Sequence, residues 1–364
     1  MVYNIEIHVK KILELAGQWL GESGIQEPCG GVGRYYRTDL KRNAAISTEI
    51  TAYAATTLHY LGAITHQKEC ALRALAATRF LTRRAWDGQA MPFEMGPECE
   101  PLSYFFDCGI VLSSLLTTWR ATREPEFLAT AKSLGAVMAA DFASSEGDFH
   151  PALRLPDKQP VERDPLRWSR AAGCYQLKAA MGWWDLAEEA GIAEFRRPYE
   201  RVLERSLRTY GSFLPGHPDP CKVVDRLHAF LYFLEGLLPC ASEKRCAAAL
   251  CDGIHRVAHY LAETAPGFER ADVYAQMLRL RIYADWLGAS PLDRDAAERE
   301  AFELASFQVA SDDPREDGGF YFGRKGGEYL PFVSPVSTAF GLQALALWER
   351  YLNGCPQSHW RVLI

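Results

Sequence analysis

Two carboxylates stand at the start of two strongly apolar stretches, Glu49 in the run 47–62 and Asp107 in the run 104–121. Apolar residues recur there at three- and four-residue spacing, which predicts two buried helices. Glycoside hydrolysis needs two carboxyl groups across the scissile bond, one protonated and one ionised. Because neighbouring helix axes lie about 8–10 Å apart, Glu49 and Asp107 could face each other. That spacing suits an inverting hydrolase better than a retaining one.

A second chemistry at these helix starts would use tyrosine, histidine and arginine. In a polysaccharide lyase or a uronate epimerase, an arginine stabilises the sugar carboxylate and its enolate, while a tyrosine or histidine moves the proton. The sequence offers Tyr53, Arg170, His228 and Tyr274 for these roles. The predicted catalytic residues are therefore Glu49, Asp107, His228 and Tyr53.

Aromatic and arginine residues gather in the same first turns and in the loops that precede them. Sugars present apolar CH faces for stacking and hydroxyl groups for hydrogen bonds, so this mixture suits a carbohydrate. Basic runs such as GRYYRTDLKR, together with the positive ends of the helix dipoles, favour an anionic ligand such as a uronate. The predicted substrate-binding residues are Arg34, Tyr35, Tyr36, Arg37, Trp168, Arg170, Tyr175, Arg226, Tyr274, Gln276, Tyr321, Arg324 and Tyr329.

Each candidate also has a purely structural interpretation. Glu49, with Ser47 or Thr48 before it, has the pattern of a helix cap that satisfies free N–H groups. Asp107 fits a cap or a structural ion pair, and His228 fits a core histidine with satisfied hydrogen bonds. The remaining alternatives are the ion pairs Arg170–Asp164 and Arg226–Asp225, and loop packing for Tyr35 and Tyr36.

The elements that must position these residues are helices of two kinds, which alternate along the chain. Strand signals are nearly absent. Helices that are apolar on all sides, and hence buried, are predicted at 47–62, 104–121, 173–191, 223–240, 272–288 and 335–352. Helices with a charged face, and hence at the surface, are predicted at 6–20, 68–85, 126–141, 193–210, 243–263 and 294–309.

This alternation of six inner and six outer helices predicts an all-α fold, the (α/α)6 toroid, as a single domain over residues 1–364. The inner helices recur at about 50 to 70 residues, a period typical of stacked helical hairpins. An open superhelix, whose repeats are shorter and more uniform, is the competing architecture. The links from outer to inner helices are long, and in a ring they would gather at one mouth. Long loops without structure of their own tend to be functional.

The composition fits a globular protein and disfavours several function classes. Apolar residues make up 48% of the 364 residues, which does not fit a disordered chain. The net charge of −6 disfavours a nucleic-acid partner, and the sequence predicts no membrane span. The N-terminus lacks the features of a signal peptide, and the ten cysteines lack zinc-knuckle or redox spacing. We therefore expect a cytoplasmic protein with reduced thiols, no metal and no cofactor.

Five short motifs extend over nearly the whole chain: TEITAY at 48–53, FFDCGIVLSSLL at 105–116, LHAFLYFLEGLL at 227–238, YAQM at 274–277 and SPVSTAFGLQALALW at 334–348. Together they resemble the α/α-toroid superfamily of six-hairpin glycosidases, terpenoid cyclases and protein prenyltransferase β-subunits. The resemblance is closest to uncharacterised bacterial members encoded with polysaccharide-biosynthesis enzymes. It implies the toroid fold and candidate positions at the starts of the inner helices.

The motifs depart from that group at three positions. The group opens its first inner helix with an acid, a threonine and a Gly-Tyr pair, and Ala52 replaces the glycine here. It opens the second with Asp-Thr-Gly, and Cys108 replaces the threonine. His228 matches the histidine that opens the fourth. At the third helix, Tyr175 or Arg170 stands where the group has a histidine.

Two other chemistries of the superfamily fit these residues poorly. The run ASDDPREDGG lacks the first aspartate of the acidic cluster that protonates terpenes. The prenyltransferase zinc site uses an aspartate, a cysteine and a histidine. Asp107 and Cys108 are adjacent, about 100° apart on a helix, so they cannot easily share one ion.

The sequence therefore predicts an enzyme that processes an acidic polysaccharide or oligosaccharide, as a hydrolase, a lyase or a uronate epimerase. One alternative is a non-catalytic glycan-binding or scaffold protein of a polysaccharide assembly system. Another is an isoprenoid cyclase or a prenyltransferase-like enzyme. The oligomeric state stays open at this point.

Overall fold

The structure, a computed structural model, describes residues 2–265, 267–356 and 359–364, with side chains from residue 9 onward. Close contacts divide the chain into two compact units. We call Gln26–Arg34 and Ala45–Gly216 the N-unit, and Met1–Ile25, Tyr35–Ala44 and His217–Ile364 the C-unit. The single domain over residues 1–364 stays a prediction.

Twelve α-helices account for most of the described chain. The N-unit contains α2 (Thr48–Thr65), α3 (Lys68–Phe80), α4 (Phe105–Thr122), α5 (Pro125–Asp141), α6 (Gln176–Glu188) and α7 (Arg196–Thr209). The C-unit contains α1 (Val2–Glu22), α8 (Pro220–Leu237), α9 (Lys244–Thr264), α10 (Ala271–Trp286), α11 (Arg294–Ser306) and α12 (Pro335–Leu352). Every predicted helix has a counterpart, with ends that agree to within a few residues.

Within the described ranges, twelve strands of two or three residues lie in the links between helices, where the sequence showed almost no strand signal. The N-unit has β1 (Val32–Gly33), β4 (Ile46–Ser47), β5 (Glu94–Met95), β6 (Leu102–Tyr104), β7 (Ala152–Arg154) and β8 (Gln159–Pro160). The C-unit has β2 (Tyr36–Arg37), β3 (Arg42–Asn43), β9 (Phe268–Arg270), β10 (Gly323–Lys325), β11 (Glu328–Tyr329) and β12 (Phe332–Val333). They form four antiparallel sheets in the orders β1-β4-β5, β6-β7-β8, β12-β2-β3 and β11-β10-β9.

The inner helices are buried on all sides, as their composition predicted. On α10 every residue from Ala271 to Ala284 is buried. On the outer helix α7, by contrast, only Tyr199, Val202, Leu203 and Ser206 are buried, which is the spacing of a single apolar face. The two kinds of helix therefore differ in burial in the way that the sequence indicated.

Inner helices of the N-unit approach each other closely at a glycine. A Cβ atom at Gly109 of α4 would lie 2.4 Å from the Cα atom of Ala179 on α6. No real Cβ atom tolerates that distance, so the packing of α4 on α6 requires glycine at this position. Gly109 stands two residues after Asp107, so this close approach also fixes where the first turn of α4 lies.

None of the ten cysteines, all within the described ranges, forms a disulfide. None of the helices in the described ranges is long and apolar enough to cross a bilayer.

Candidate functional site

The predicted site residues fall into two clusters, one in each unit. In the N-unit, the sheet β1-β4-β5 brings three chain segments side by side, with Ser47 paired to Val32 on one side and to Glu94 on the other. Arg34 follows β1 directly, and Glu49 follows β4 after one residue, Thr48. Arg34 Nη1 donates to Glu94 Oε1 at 2.6 Å. We call Arg34, Glu49, Glu94 and Asp107 the acidic centre.

Asp107 is the buried member of the acidic centre, with 9% of the residue exposed. Burial and the neighbouring Glu49 charge raise the pKa of Asp107 well above its ordinary value, and Arg34 opposes this shift. Glu94 adds a further negative charge in the same direction. A carboxyl group with this environment keeps its proton at a pH where an ordinary aspartate has lost it. The acidic centre thus contains a carboxyl group suited to donate a proton.

Glu49 does not provide the cap of its helix. Ser47 is the N-cap of α2, and its hydroxyl accepts from the Ile50 N–H. Thr48 Oγ1 donates to the Pro92 carbonyl at 2.7 Å, which ties the first turn to the loop before β5. Ser47 is therefore the capping residue of this helix. The Glu49 charge raises the pKa of both Asp107 and Arg34.

Aromatic rings flank Asp107. Trp168 packs edge-on against Phe106 and Tyr175, with ring centroids 6.4 and 5.2 Å apart. The Tyr175 hydroxyl donates to the Ala171 carbonyl at 2.9 Å. Burial and the Asp107 charge raise the pKa of Tyr175 above its usual range. Trp168 is partly exposed while Tyr175 is buried, so Trp168 is the ring that a ligand could reach.

Two other N-unit candidates take different places. Tyr53 lies one turn after Glu49 on α2 and is buried, with 2% exposed. Arg170 donates to Glu100 at 3.3 Å rather than pairing with Asp164, so the proposed Arg170–Asp164 ion pair is wrong. Asp164 is instead joined to Arg170 through the backbone, where its N–H donates to the Arg170 carbonyl.

In the C-unit, the middle of α8 meets the start of α10 around His228, since α8 begins at Pro220, earlier than the sequence predicted. His228 Nδ1 lies 2.7 Å from Gln276 Oε1 and 3.6 Å from Asp272 Oδ2. Arg270 holds both oxygens of Asp272 from Nε and Nη2, at 2.9 and 2.5 Å. Arg270 Nη1 also donates to Asp225 at 2.9 Å. We call His228, Gln276, Asp272, Arg270 and Asp225 the histidine centre.

The charges in the histidine centre are paired, and its imidazole is neutral. Burial lowers the pKa of His228 to about 4, although the Asp272 charge works in the opposite direction. Burial alone would raise the pKa of Asp272, but Arg270 holds it below its ordinary value. At neutral pH the centre therefore combines an uncharged histidine with an ionised Asp272 and Arg270.

The remaining predicted residues of the C-unit lie in polar and aromatic contacts of their own. Tyr274 and Arg324 both donate to Glu269, at 2.7 Å from the hydroxyl and 3.0 Å from Nη2. Tyr274 also lines a cavity of about 1200 Å³ together with residues of α1, α9 and α11. Tyr321 stacks on Tyr329 with centroids 4.7 Å apart.

The three candidates around β2 differ in exposure. Tyr35 packs edge-on against Phe332 at 5.0 Å. Tyr36 is 2% exposed beneath Arg315, whose guanidinium lies 4.8 Å from the ring centroid. Arg37 pairs with Asp39 on the surface. Arg226 is buried, and its proposed partner Asp225 is bound by Arg270 instead.

The sequence did not predict the buried charges Arg270 and Asp272 as site residues, nor the buried ion pair of Glu235 with Arg279. Two of them carried a signal, because Glu235 and Arg279 are charges inside mostly apolar stretches, LHAFLYFLEGLL and MLRLRIY, the second of which also contains Arg281. Both are 0% exposed in the structure. Charges within a mostly apolar helix are thus a usable sign of a buried polar network.

Among the residues that the structure describes, no group of three or more histidine, cysteine, aspartate or glutamate side chains is arranged to hold a metal ion.

Comparison with known proteins gives structural matches only. No protein-family model matches the sequence, and no curated protein matches it either. A sugar epimerase from a ruminal bacterium matches with a TM-score of 0.70 at 12% identity, over 93% of this chain and 98% of that chain. A cellobiose 2-epimerase from Bacillus thermoamylovorans matches with a TM-score of 0.71 at 13% identity, over 95% and 100%. An unsaturated glucuronyl hydrolase from a Streptococcus matches with a TM-score of 0.62 at 11% identity, over 95% and 92%.

These matches confirm the predicted fold. The chain has an all-α toroid fold, since the similarity spans nearly all of it and nearly all of each neighbour. The open superhelix is excluded for the same reason. At identities of 10–13% the likeness is one of fold, and the activity has to be argued from the side chains.

Proposed function

We propose that this chain is a carbohydrate-processing enzyme that cleaves a glycosidic bond at the acidic centre. The observation that carries the proposal is the buried Asp107 carboxyl group, whose pKa burial and Glu49 raise well above its ordinary value. Hydrolysis of a glycoside requires one carboxylic acid and one carboxylate. Asp107 and Glu49 supply this pair from the first turns of α4 and α2.

In the proposed reaction Asp107 donates its proton to the oxygen of the leaving sugar. Glu49, as the carboxylate, takes a proton from the water molecule that adds to the anomeric carbon, and its negative charge stabilises the oxocarbenium-like transition state. As the bond breaks, the leaving sugar departs as an alcohol and Asp107 becomes a carboxylate. Arg34 favours that ionised form, because its guanidinium lowers the pKa of Asp107.

The substrate class follows from what surrounds the two acids. Trp168 offers a partly exposed ring for the apolar face of a sugar. Arg34 is about half exposed, with 49% of its side chain accessible. Its guanidinium can therefore bind a sugar carboxylate while it keeps its ion pair with Glu94. We therefore propose an anionic oligosaccharide, with a uronic acid next to the cleaved bond. The sugar-acting proteins named among the structural neighbours are compatible with this class.

The test is to incubate the protein with a panel of uronic-acid oligosaccharides. Hydrolysis is detected by the formation of reducing ends, and lyase products by the absorbance of unsaturated sugars. Asp107→Asn and Glu49→Gln should each strongly reduce the formation of reducing ends. Asp185→Asn is the matched control, since Asp185 is a buried inner-helix carboxylate that pairs with Arg120 at 3.0 Å. Equal activity in wild type, Asp107→Asn and Glu49→Gln would refute the proposal. Binding without turnover across the panel would favour a glycan-binding protein.

A second candidate function, sugar epimerisation, is favoured by the histidine centre. A neutral histidine held against an ionised Asp272 can remove a proton next to a carbonyl or carboxylate. The test is incorporation of deuterium from D2O into the sugar, compared between wild type and His228→Asn. His59→Gln is the matched control, because burial also lowers the pKa of His59 to about 4 and its ring bonds Thr118 at 3.0 Å. Exchange that survives in His228→Asn would exclude this candidate.

A further inference from the structure

A run of buried polar side chains leads away from His228 into the C-unit. Gln276, Glu235, Arg279 and Gln343 follow one another along it, and each of the four is 0% exposed. We call these four residues the polar chain. They stand on α8, α10 and α12, on helices whose other residues are mostly apolar. Buried polar groups of this kind cost free energy unless each is hydrogen-bonded, so their arrangement is specific.

The hydrogen bonds of the polar chain meet at Glu235, which accepts from residues on both sides of it. Gln276 Nε2 lies 3.5 Å from Glu235 Oε1, and Arg279 Nη2 donates to the same Glu235 oxygen at 2.6 Å. Arg279 Nη1 donates to Gln343 Oε1 at 3.0 Å and to the Ile364 carbonyl at 3.2 Å. The guanidinium also lies 4.1 Å from the centroid of the Phe340 ring. Arg279 is thus held from three sides, and Glu235 is held by Arg279.

The Glu235–Arg279 ion pair determines which way the Gln276 amide faces. An ionised carboxylate accepts hydrogen bonds and donates none. The Gln276 group that faces Glu235 must therefore be the NH2 group, because the amide oxygen would meet a negative charge. The opposite rotation of the amide is excluded by this contact, so Gln276 Oε1 faces His228.

The Gln276 amide in turn determines the tautomer of His228. Its Oε1 atom only accepts, and it lies 2.7 Å from His228 Nδ1. The second group near Nδ1 is the Asp272 carboxylate at 3.6 Å, which is also an acceptor. The proton of the neutral ring therefore sits on Nδ1, and the lone pair sits on Nε2.

We infer that Glu235 and Arg279 are positioning residues that fix His228, through Gln276, as the Nδ1-protonated tautomer with Nε2 as its basic atom. The inference rests on the second proposed function only for the use of that basic atom. The tautomer is a property of the protein without substrate. It assigns a role to an ion pair that lies two contacts away from the imidazole.

The test is long-range 1H–15N correlation NMR of histidine-labelled protein at neutral pH without substrate. His228 is assigned by the signals that disappear in His228→Asn. Wild type should give the pattern of a single neutral tautomer with the proton on Nδ1. The double variant Glu235→Leu with Arg279→Met removes both charges together, and it should lose the single-tautomer pattern and give a mixture of the two forms.

The matched control is Glu300→Leu with Arg281→Met, because Arg281 also stands on α10 and pairs with a buried glutamate at 2.9 Å. It should keep the wild-type pattern. Gln276→Met, which removes only the amide, is the second variant and should also give a mixture. A wild-type ring protonated on Nε2 would overturn the inference, as would an Nδ1-protonated ring in both Gln276→Met and the double variant. Absence of epimerase activity alongside the expected tautomers would reject the second proposed function and leave this inference standing.

Discussion

Two aspartates in the first turn of inner helices, Asp107 on α4 and Asp272 on α10, have opposite pKa shifts. Both are buried, with 9% and 2% exposed. The pKa of Asp107 is raised well above its ordinary value, and that of Asp272 is lowered. Burial acts in the same direction on both, so the difference comes from the neighbouring charges.

The charged groups beside the two aspartates differ. Arg270 binds both carboxylate oxygens of Asp272 and is itself buried. Asp107 faces the Glu49 charge, while the arginine beside it, Arg34, is half exposed and bound to Glu94. A cation within bonding distance makes a carboxylate a fixed structural charge, whereas a like charge makes it a proton donor. The position on the helix therefore does not decide the role of a first-turn acid.

The sharpest test of this difference is Asp107→Asn. If Asp107 is the general acid, the substitution should lower kcat by about 10²- to 10⁴-fold. It should also change stability with pH in a defined direction. The pKa of Asp107 is raised in the folded protein. The free energy of unfolding of the wild type should therefore fall as the pH rises from 3.8, the ordinary aspartate pKa, through the pKa of Asp107 in the folded protein. Urea unfolding from acid to neutral pH should show that loss in wild type and not in Asp107→Asn.

The second test reverses the environment of Asp272. Arg270→Met leaves two carboxylates, Asp272 and Asp225, without their arginine in a buried setting. Breaking a buried ion pair in this way costs about 3–5 kcal/mol of unfolding free energy, measured by urea titration at pH 7. The pKa of Asp272 should then rise, as that of Asp107 does. A loss below about 1 kcal/mol, the value for exposed pairs, would show that the pairing is not what distinguishes the two aspartates.

The sequence predicted the helices of both regions because their signal is periodic. Runs of buried residues on α10 and one apolar face on α7 follow from composition and spacing alone. The strands were missed because elements of two or three residues, such as β4 and β5, are too short to show alternation. Those strands bring Arg34 and Glu94 beside Glu49, so the contacts of the acidic centre could not be predicted, although Arg34 was a predicted site residue.

The sequence indicated which first turns are polar, but not which charges meet there. Asp107 and Glu49 were predicted as a pair because each is a lone acid at the start of an apolar run. The partner of Asp225 was predicted to be its neighbour Arg226, and it is Arg270, which is 45 residues away. Contacts at that separation depend on tertiary packing. For the same reason the protonation of Asp107 and the pairing of Asp272 could not be derived from the chain alone.

A third test concerns burial, which the two aspartates share. Gly109→Ala places a Cβ atom where the backbone of Ala179 lies and should cost about 1–3 kcal/mol, the range for overpacked sites. By separating α4 from α6 it should admit water to the first turn of α4 and lower the pKa of Asp107 toward its ordinary value. Gly62→Ala on α2 is the control, since its nearest neighbour would be at 3.6 Å, and it should gain up to about 1 kcal/mol. Equal stability of the two variants would contradict the close approach at Gly109.

The smallest expected effect on stability is that of Arg34→Met, the counterpart of Arg270→Met in the acidic centre. Arg34 is half exposed and its pair with Glu94 is partly solvated, so the substitution should cost no more than about 1 kcal/mol. Its effect on Asp107 should nevertheless be clear, because Arg34 is the cation that lowers the Asp107 pKa. NMR titration of the Asp107 carboxyl group should show a pKa above the wild-type value. The two variants would then distinguish the roles of the two arginines. Arg34→Met should shift the pKa of Asp107 with little loss of stability, whereas Arg270→Met should cost several kcal/mol of unfolding free energy.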